Sequence, residues 1–426
     1  MTSSAPIDRT LIAPALRDLD LAAVAEEFGT PVFVYDEDDL RRRCREYVDA
    51  FGPDAVAYAG KAFLCTAMAR LVGEEGLYLD CATGGELHVA RHAGVAPERI
   101  VAHGNNKSDA EIEQALAAGV GRIVVDSFDE IDRLERLAST PVQVLVRVTP
   151  GVEAHTHEYI ETGTEASKFG FTITDGVALR AVRRLDDAHL LLFSGLHFHI
   201  GSQIYRLDAY ARAIERVAAL AAVVHEELGV VVDELNVGGG LGARYLPEDP
   251  ELEVADHAAA LHTAVQECWS AVGLADVPRV MVEPGRSIAA PAALTLFRVG
   301  TVKEIPGVGT YVAVDGGMSD NPRPVLYGAG YEAYLPERMG DDRPLACSVV
   351  GKHCEQGDII VADARLPASV AVGDLLAMPA TGAYGYSMAS NYNKVTRPAV
   401  VFVRDGQPRL VVRRETLEDL VRLDVG

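Results

Sequence analysis

LLFSGLHFHIGSQ, residues 191–203, is the stretch on which the fold turns. It opens as an apolar β-type run, reaches His197 and His199 at alternate positions, and ends in a Gly-Ser turn. LDAYARAIERVAALAAVVHEELG (207–229) follows, with apolar residues at helical spacing and a terminal glycine of the kind that closes a helix. A strand, a polar turn and a long helix in that order make one unit of a parallel α/β fold.

The unit recurs on both sides. Strand candidates are VAYA (56–59), LYLD (77–80), IVAH (100–103), RIVVD (122–126), VQVLVRV (142–148), LLFSGLHFH (191–199), ELNV (234–237) and VMVE (280–283), separated by helix patterns such as ELHVARHAG and DAEIEQALAAG. Eight alternations predict a (β/α)8 TIM-type barrel rather than a doubly wound sheet. A further helix, DEDDLRRRCREYVDAF (36–51), precedes the first strand with Asp36 as its N-cap. After residue 290 the rhythm changes to strands and turns, TLFRVGTVKEI, TYVAVDGG, LACSVVGK, DIIVADARL, DLLAMPA and AVVFVRDGQPRLVVRRE, the last a hairpin with Asp-Gly in its turn. The expected division is a barrel over 31–289 and a mainly β domain over 290–426 together with 1–30.

Chemistry in such barrels sits at the C-terminal ends of the strands. Lys61, Asp80, Arg147, His199, the triplet Gly238-Gly239-Gly240 and the run Glu283-Pro284-Gly285-Arg286 all fall there. Glycines after the seventh strand and Gly-Arg after the eighth suit a phosphate, because bare backbone N–H groups approach its oxygens and Arg286 adds a forked cation. A lysine across the barrel and a carboxylate beside the pocket narrow this to pyridoxal phosphate. The lysine would hold the aldehyde as a Schiff base, and the carboxylate would keep the ring nitrogen protonated as an electron sink.

The net charge of −23 argues against nucleic acid or an anionic membrane as partner. No apolar stretch approaches the length of a membrane span, and MTSSAPIDRT has no signal-peptide pattern, so a cytoplasmic location is expected. Six cysteines stand apart with no C-x-x-C pair, which reads as reduced thiols and no metal site. GKHCEQGD (351–358) sets His353, Cys354 and Glu355 side by side and by itself leaves metal, redox, nucleophile and inert readings open.

Taken together, YAGKA, HGNNKS, SKFGF, HFHIGSQ, GGGLG, EPGR, DGGMSDNPRPVLYGA, GKHCEQGD and GAYGYSMASNYN resemble the fold-type III pyridoxal-phosphate-dependent decarboxylases over nearly the whole chain, and within them the branch acting on diaminopimelate. The fold implied is alanine-racemase-like. The resemblance implies Lys61 as the lysine bound to the cofactor, His199 stacked on its ring and Glu283 at the ring nitrogen. It implies Ser202, Gly239, Gly240, Gly285, Arg286 and Tyr384 around the phosphate, with Asp80 and Arg147 in support. Cys354 is implied to be the proton donor, reaching into the other subunit of a homodimer with shared sites.

Arg286, Arg323, Tyr327 and Tyr384 are implied to bind substrate carboxylate, with Glu355 on the distal ammonium. Arg323 favours a substrate with a distal carboxylate, since a closed site must match that charge. The expected reaction is therefore decarboxylation of meso-2,6-diaminopimelate to L-lysine. The alternatives are an ornithine, arginine or carboxynorspermidine decarboxylase, one acting on a modified amino acid, a non-catalytic homologue that binds the cofactor, or a racemase. Two departures stand out: Gln356 where the family usually has Ser, and Gly385 where it often has Cys. The segment 149–170 is expected to act as a lid over the site.

Overall fold

The computed structural model describes residues 5–152 and 167–426. The chain forms two compact units, Arg43–Gly242 with Leu252–Gly285, and Met1–Arg42 with Ala243–Glu251 and Arg286–Gly426. The expected lid falls mostly on 153–166, outside the described residues.

The first strand along the chain, β1 (Val32–Asp36), leads into a helix, Glu37–Phe51. Asp36 caps it as expected, accepting the Asp39 N–H on Oδ1 at 2.9 Å. Nine strands follow in the first unit: β2 (Ala57–Ala59), β3 (Tyr78–Cys81), β4 (Ile100–Ala102), β5 (Arg122–Val125), β6 (Val142–Thr149), β7 (Phe171–Thr172), β8 (Leu191–His197), β9 (Glu234–Asn236) and β10 (Arg279–Met281). All but β7 pair in parallel in the order β2-β3-β4-β5-β6-β8-β9-β10. The ring closes where Ala57 N–H donates to Val282 O (2.9 Å) and Val282 N–H donates to Ala55 O (3.0 Å). The eight sequence candidates are these strands, each within two residues at its ends. Only β7, a two-residue addition on the edge of β6, went unread.

A layer of side chains fills the barrel: Ala57, Tyr78, Val101, Val124, Leu145 and Met281, one from each of six strands. Because side chains on a strand repeat every second residue, the next inward positions are fixed by this layer. They are Asp80, His103, Asp126, Arg147 and Glu283, with His197 and Asn236 ending β8 and β9. A dry apolar floor thus carries a ring of polar residues one step nearer the strand C-termini.

The second unit holds β11 (Ala293–Ile305), β12 (Gly309–Val314), β13 (Leu345–Val350), β14 (Ile359–Leu366), β15 (Leu375–Pro379), β16 (Ala399–Arg404) and β17 (Gln407–Val412). Its sheet runs β14-β13-β12-β11-β1-β16-β17, with β15 paired to β11. The Asp405-Gly406 turn is as expected, with both φ angles positive at 51° and 72°. The boundary expected at residue 31 needs correction. Strand β1 lies within this sheet, antiparallel to β11 and parallel to β16, and Ala243–Glu251 also joins this unit. Val32 and Val34 are fully buried there against Leu294, Leu296, Val401 and the amino-terminal Leu16, Leu21 and Val24. Among the described residues no helix is long and apolar enough to cross a membrane.

In the barrel unit, His257 packs edge-on to Tyr210 at 5.2 Å and is 4% exposed, and its Nδ1 has no hydrogen-bond partner among the described residues. Burial pushes its pKa down from 6.5 to about 4. The unfolded chain therefore binds one more proton than the folded chain between those values. Its share of stability is complete above pH 6.5 and is lost as pH falls towards 4, at a cost on the order of 3 kcal/mol. Urea denaturation at stepped pH is expected to show His257→Leu losing less stability than wild type over this window; parallel curves would refute it.

Candidate active site

Glu283 sits just past β10 and is buried. Its Oε1 accepts from His103 Nε2 at 2.8 Å and from Asn236 Nδ2 at 2.8 Å, and its Oε2 accepts from His197 Nε2 at 3.1 Å. Burial alone would raise its pKa, but the two imidazoles and their hydrogen bonds hold it well below the usual carboxylate range. For His103, burial works against the charge, yet Asp80 and Glu283 overcome it and raise the pKa. His197 has no such surplus, and burial lowers it to about 4. Asp80 lies 3.8 Å from His103, and burial raises its pKa to about 6. Ligand atoms of His103, His197 and Glu283 lie within 4.8 Å of one another, the spacing of a metal site. The 2.8 and 3.1 Å contacts, however, each require a proton between imidazole and carboxylate, so the trio is a hydrogen-bonded network as it stands.

His199 continues the β8 face beyond His197. Its Nδ1 accepts the Gly239 N–H at 3.2 Å, and burial, then the charge of Lys61, depress its pKa well below the usual value. The ring is therefore neutral, with its proton on Nε2. Lys61 lies in a single 3-10 turn after β2, and its side chain is exposed. Its charge acts on both Asp80 and His199, which places these three expected residues around one space. Arg147 faces Asp126 at 3.7 Å and stacks on Phe169 at 4.3 Å.

The glycine triplet is built against three carbonyls, and a Cβ on Gly238 would lie 2.6 Å from Phe198 O. A Cβ on Gly239 would lie 2.2 Å from Glu283 O, and one on Gly240 (φ +114°) would lie 2.5 Å from Gly201 O. Tyr210 Oη donates to Gly239 O at 2.7 Å and Ile204 N–H to Gly240 O at 2.8 Å. These bonds bring the Gly201-Ser202 turn beside the triplet. Gly285 would meet Ala62 Cβ at 2.9 Å, so a side chain there would crowd the Lys61 turn.

The second unit holds a cluster of its own. Arg286 Nη1 donates to Tyr245 Oη at 2.9 Å and lies over Tyr384 at 4.8 Å. Arg323 opens a five-residue helix (Arg323–Tyr327), donates to Tyr331 Oη and lies over Tyr245 at 4.6 Å. Both guanidiniums are buried. No carboxylate among the described residues pairs with Arg323, so its charge is left for an anion from outside. Burial raises Tyr245, but Arg286 and Arg323 outweigh it and lower its pKa. Tyr384 holds φ +60°. Tyr327, half-buried, ends the helix that Arg323 begins.

In GKHCEQGD the residue with least expected importance anchors the loop. His353 is buried between Ser319 Oγ (2.8 Å) and Asn393 Oδ1 (3.2 Å), and its N–H donates to Asp358 Oδ2 at 2.9 Å. Cys354 and Glu355 stay exposed, and neither side chain has a hydrogen bond or ion pair among the described residues. Gln356 is the first central residue of the turn closed by Asp358 N–H to Glu355 O (3.1 Å), and it is exposed. Gly385 is explained by crowding, since a Cβ there would lie 2.9 Å from both the Phe33 ring and Thr381 O.

Five participants were not among the sequence candidates: His103, His197, Asn236, Tyr245 and Tyr331. The first was legible as the residue two beyond Val101, and the second as the alternate partner of His199. Tyr245 and Tyr331 follow glycine-rich turns and carried no periodic signal.

The barrel residues fit a ligand with an aldehyde, a ring nitrogen and a phosphate. Lys61 offers an amine, Glu283 an anionic acceptor and Gly239–Gly240 a bare backbone cradle, while Asp80 Oδ1 is buried without a hydrogen-bond partner. Residues 37–290 match the family described as pyridoxal-dependent decarboxylase, pyridoxal binding domain. The chain thus belongs to the fold-type III pyridoxal-phosphate-dependent amino-acid decarboxylases. It is 52% identical to diaminopimelate decarboxylase of Mycobacterium tuberculosis over 96% of this chain and 94% of that one. It is 47% identical to the Bacillus subtilis enzyme of that name, with the same two coverages. The crystal structure of Helicobacter pylori diaminopimelate decarboxylase complexed with L-lysine superposes with TM-score 0.87 at 33% identity, covering 95% of this chain and 99% of that one. Within its class, the chain belongs to the diaminopimelate decarboxylase family.

Gly239→Ala is expected to weaken pyridoxal phosphate binding by about tenfold or more with secondary structure retained, because the methyl group displaces the loop from Glu283 O. Titration of the apoprotein followed by cofactor absorbance tests this; unchanged affinity would show that the cradle is not used.

Proposed function

We propose that the chain converts meso-2,6-diaminopimelate to L-lysine and carbon dioxide, the last step of lysine synthesis, as a cytoplasmic homodimer. The observation that carries the substrate assignment is Arg323, a buried cation with no carboxylate partner among the described residues. An ornithine-type substrate would leave that charge buried and unmatched, at several kcal/mol. The H. pylori relative, crystallised with L-lysine, supports the same reading.

Pyridoxal phosphate, when bound, supplies an electron sink for the pair left behind by the departing carboxylate. Lys61 would hold its aldehyde through the side-chain amine. Glu283 accepts the proton on its ring nitrogen, and His199 covers its ring. Ser202, Gly239, Gly240, Gly285, Arg286 and Tyr384 serve its phosphate, with Asp80 and Arg147 balancing charge around Lys61. Arg323 and Tyr327, with Arg286 and Tyr384, bind substrate carboxylate, and Glu355 takes the distal ammonium. Carbon dioxide leaves, and the carbon it leaves gains one proton. Cys354 gives that proton from Sγ and regains one from water.

Cys354 and Glu355 act across a subunit boundary in this proposal. Support comes from their exposure, and from the exposed apolar Val325 and Leu326 on the helix that Arg323 opens. Val325 and Leu326 would be covered by a second copy.

A substrate panel with product identification is expected to give lysine from meso-diaminopimelate and little turnover of ornithine or arginine; preference for ornithine would sink the assignment. Arg323→Ala is expected to lose roughly 10–100-fold in diaminopimelate turnover while keeping the cofactor's absorbance. Mixing inactive Lys61→Ala with inactive Cys354→Ala should restore up to about a quarter of wild-type activity, the share carried by hybrid dimers with one intact site. Activity that stays at zero after subunit exchange would rule out shared sites.

A further inference from the structure

Two buried histidines, His103 and His197, have no part in the chemistry above, yet both donate to Glu283. Resting on the reading of Glu283 as partner of the ring nitrogen, we propose that they are positioning residues for it. They keep Glu283 ionised and turned so that one acceptor position on Oε2 is left for the cofactor.

A carboxylate has about four acceptor positions, two on each oxygen. Oε1 is filled by His103 Nε2 and Asn236 Nδ2, both at 2.8 Å. Among the described residues Oε2 takes only His197 Nε2, at 3.1 Å. The imidazoles meet edge to face at 4.9 Å and 65°, so they approach the carboxylate from different directions and oppose its rotation.

The two rings differ in what they supply. His103 is 3.8 Å from Asp80 and also meets the charges of Glu283 and Arg147; burial and the arginine oppose its charge, but the two carboxylates outweigh both and raise its pKa. It brings positive charge as well as a donor. His197 faces Glu283, His103 and Arg147, is lowered to about 4 by burial, and has no partner for its Nδ1 among the described residues. It is neutral and brings direction alone. Without this pair, a buried carboxylate would take up a proton rather than bear the full desolvation. A protonated Glu283 would donate to the ring nitrogen instead of accepting from it. The loss would then show at that nitrogen before it showed in cofactor retention.

The test uses holoenzyme reconstituted with pyridoxal phosphate labelled with ¹⁵N in its ring, whose chemical shift separates protonated from bare nitrogen. Wild type is expected to stay protonated from about pH 6 to about pH 9. His103→Gln keeps a donor but removes the charge, and is expected to titrate within that range, with kcat down about tenfold or more and KM little changed. His197→Leu should do the same, whereas His197→Gln should recover most of the loss because only a neutral donor is needed.

A wild-type nitrogen signal in both His103→Gln and His197→Leu would overturn the proposal, provided Glu283→Gln moves it. If Glu283→Gln leaves the signal unmoved as well, the reading of Glu283 itself fails, and the proposal with it. Should His197→Leu not retain cofactor, His103→Gln alone decides.

Discussion

An ionised carboxylate buried at the end of a barrel is the constraint on which the rest of this structure depends. Removing such a charge from water costs several kcal/mol unless nearly every lone pair is met. Glu283 is 7% exposed and meets that demand with three donors from three strand ends, β4, β8 and β9. Two of them, β4 and β8, are not its neighbours along the chain. The closed parallel ring brings them together, and the apolar layer beneath fixes which residues face inward. The fold is needed less to make a pocket than to keep one negative charge in place.

The second unit solves the opposite problem. Arg286 and Arg323 are buried cations, and the tyrosines around them, Tyr245, Tyr331 and Tyr384, give stacking and hydrogen bonding without adding a formal negative charge. Aromatic faces lower the cost of burying a guanidinium, and among the described residues Arg323 has no carboxylate partner. A carboxylate in place of Tyr245 would stabilise both arginines more and leave them less able to take a ligand. Such a cluster is what the proposed carboxylate site would need, because a built-in anion would already hold the charge.

Much of this was legible in the sequence, and the limits have physical causes. The eight barrel strands carry period-two apolar runs followed by glycine and helix patterns, so local chemistry marks them. Strand β1 is just as apolar, but nothing local says that its partners are β11 and β16, more than 250 residues away. Lys61, Glu283 and Arg286 announced themselves as charged residues at strand ends. His103 did not, because a lone histidine after IVA reads equally well as core. Its role depends on Glu283, 180 positions later. Asn236 and Tyr245 were hidden likewise, since their partners are set by tertiary closure.

The two departures from the family pattern separate on the same grounds. Gly385 is dictated by its surroundings: the Phe33 ring and Thr381 O already occupy the space of a side chain, and Tyr386 packs edge-on to Phe33 at 5.9 Å. Gln356 is dictated by nothing nearby. It occupies the open corner of a turn whose backbone is held by Asp358 and by the buried His353. Cys354 and Glu355 inherit their placement from those anchors, not from residue 356. A change at an exposed turn corner leaves their backbone where it was. Any effect Gln356 has must come from what its exposed side chain itself meets.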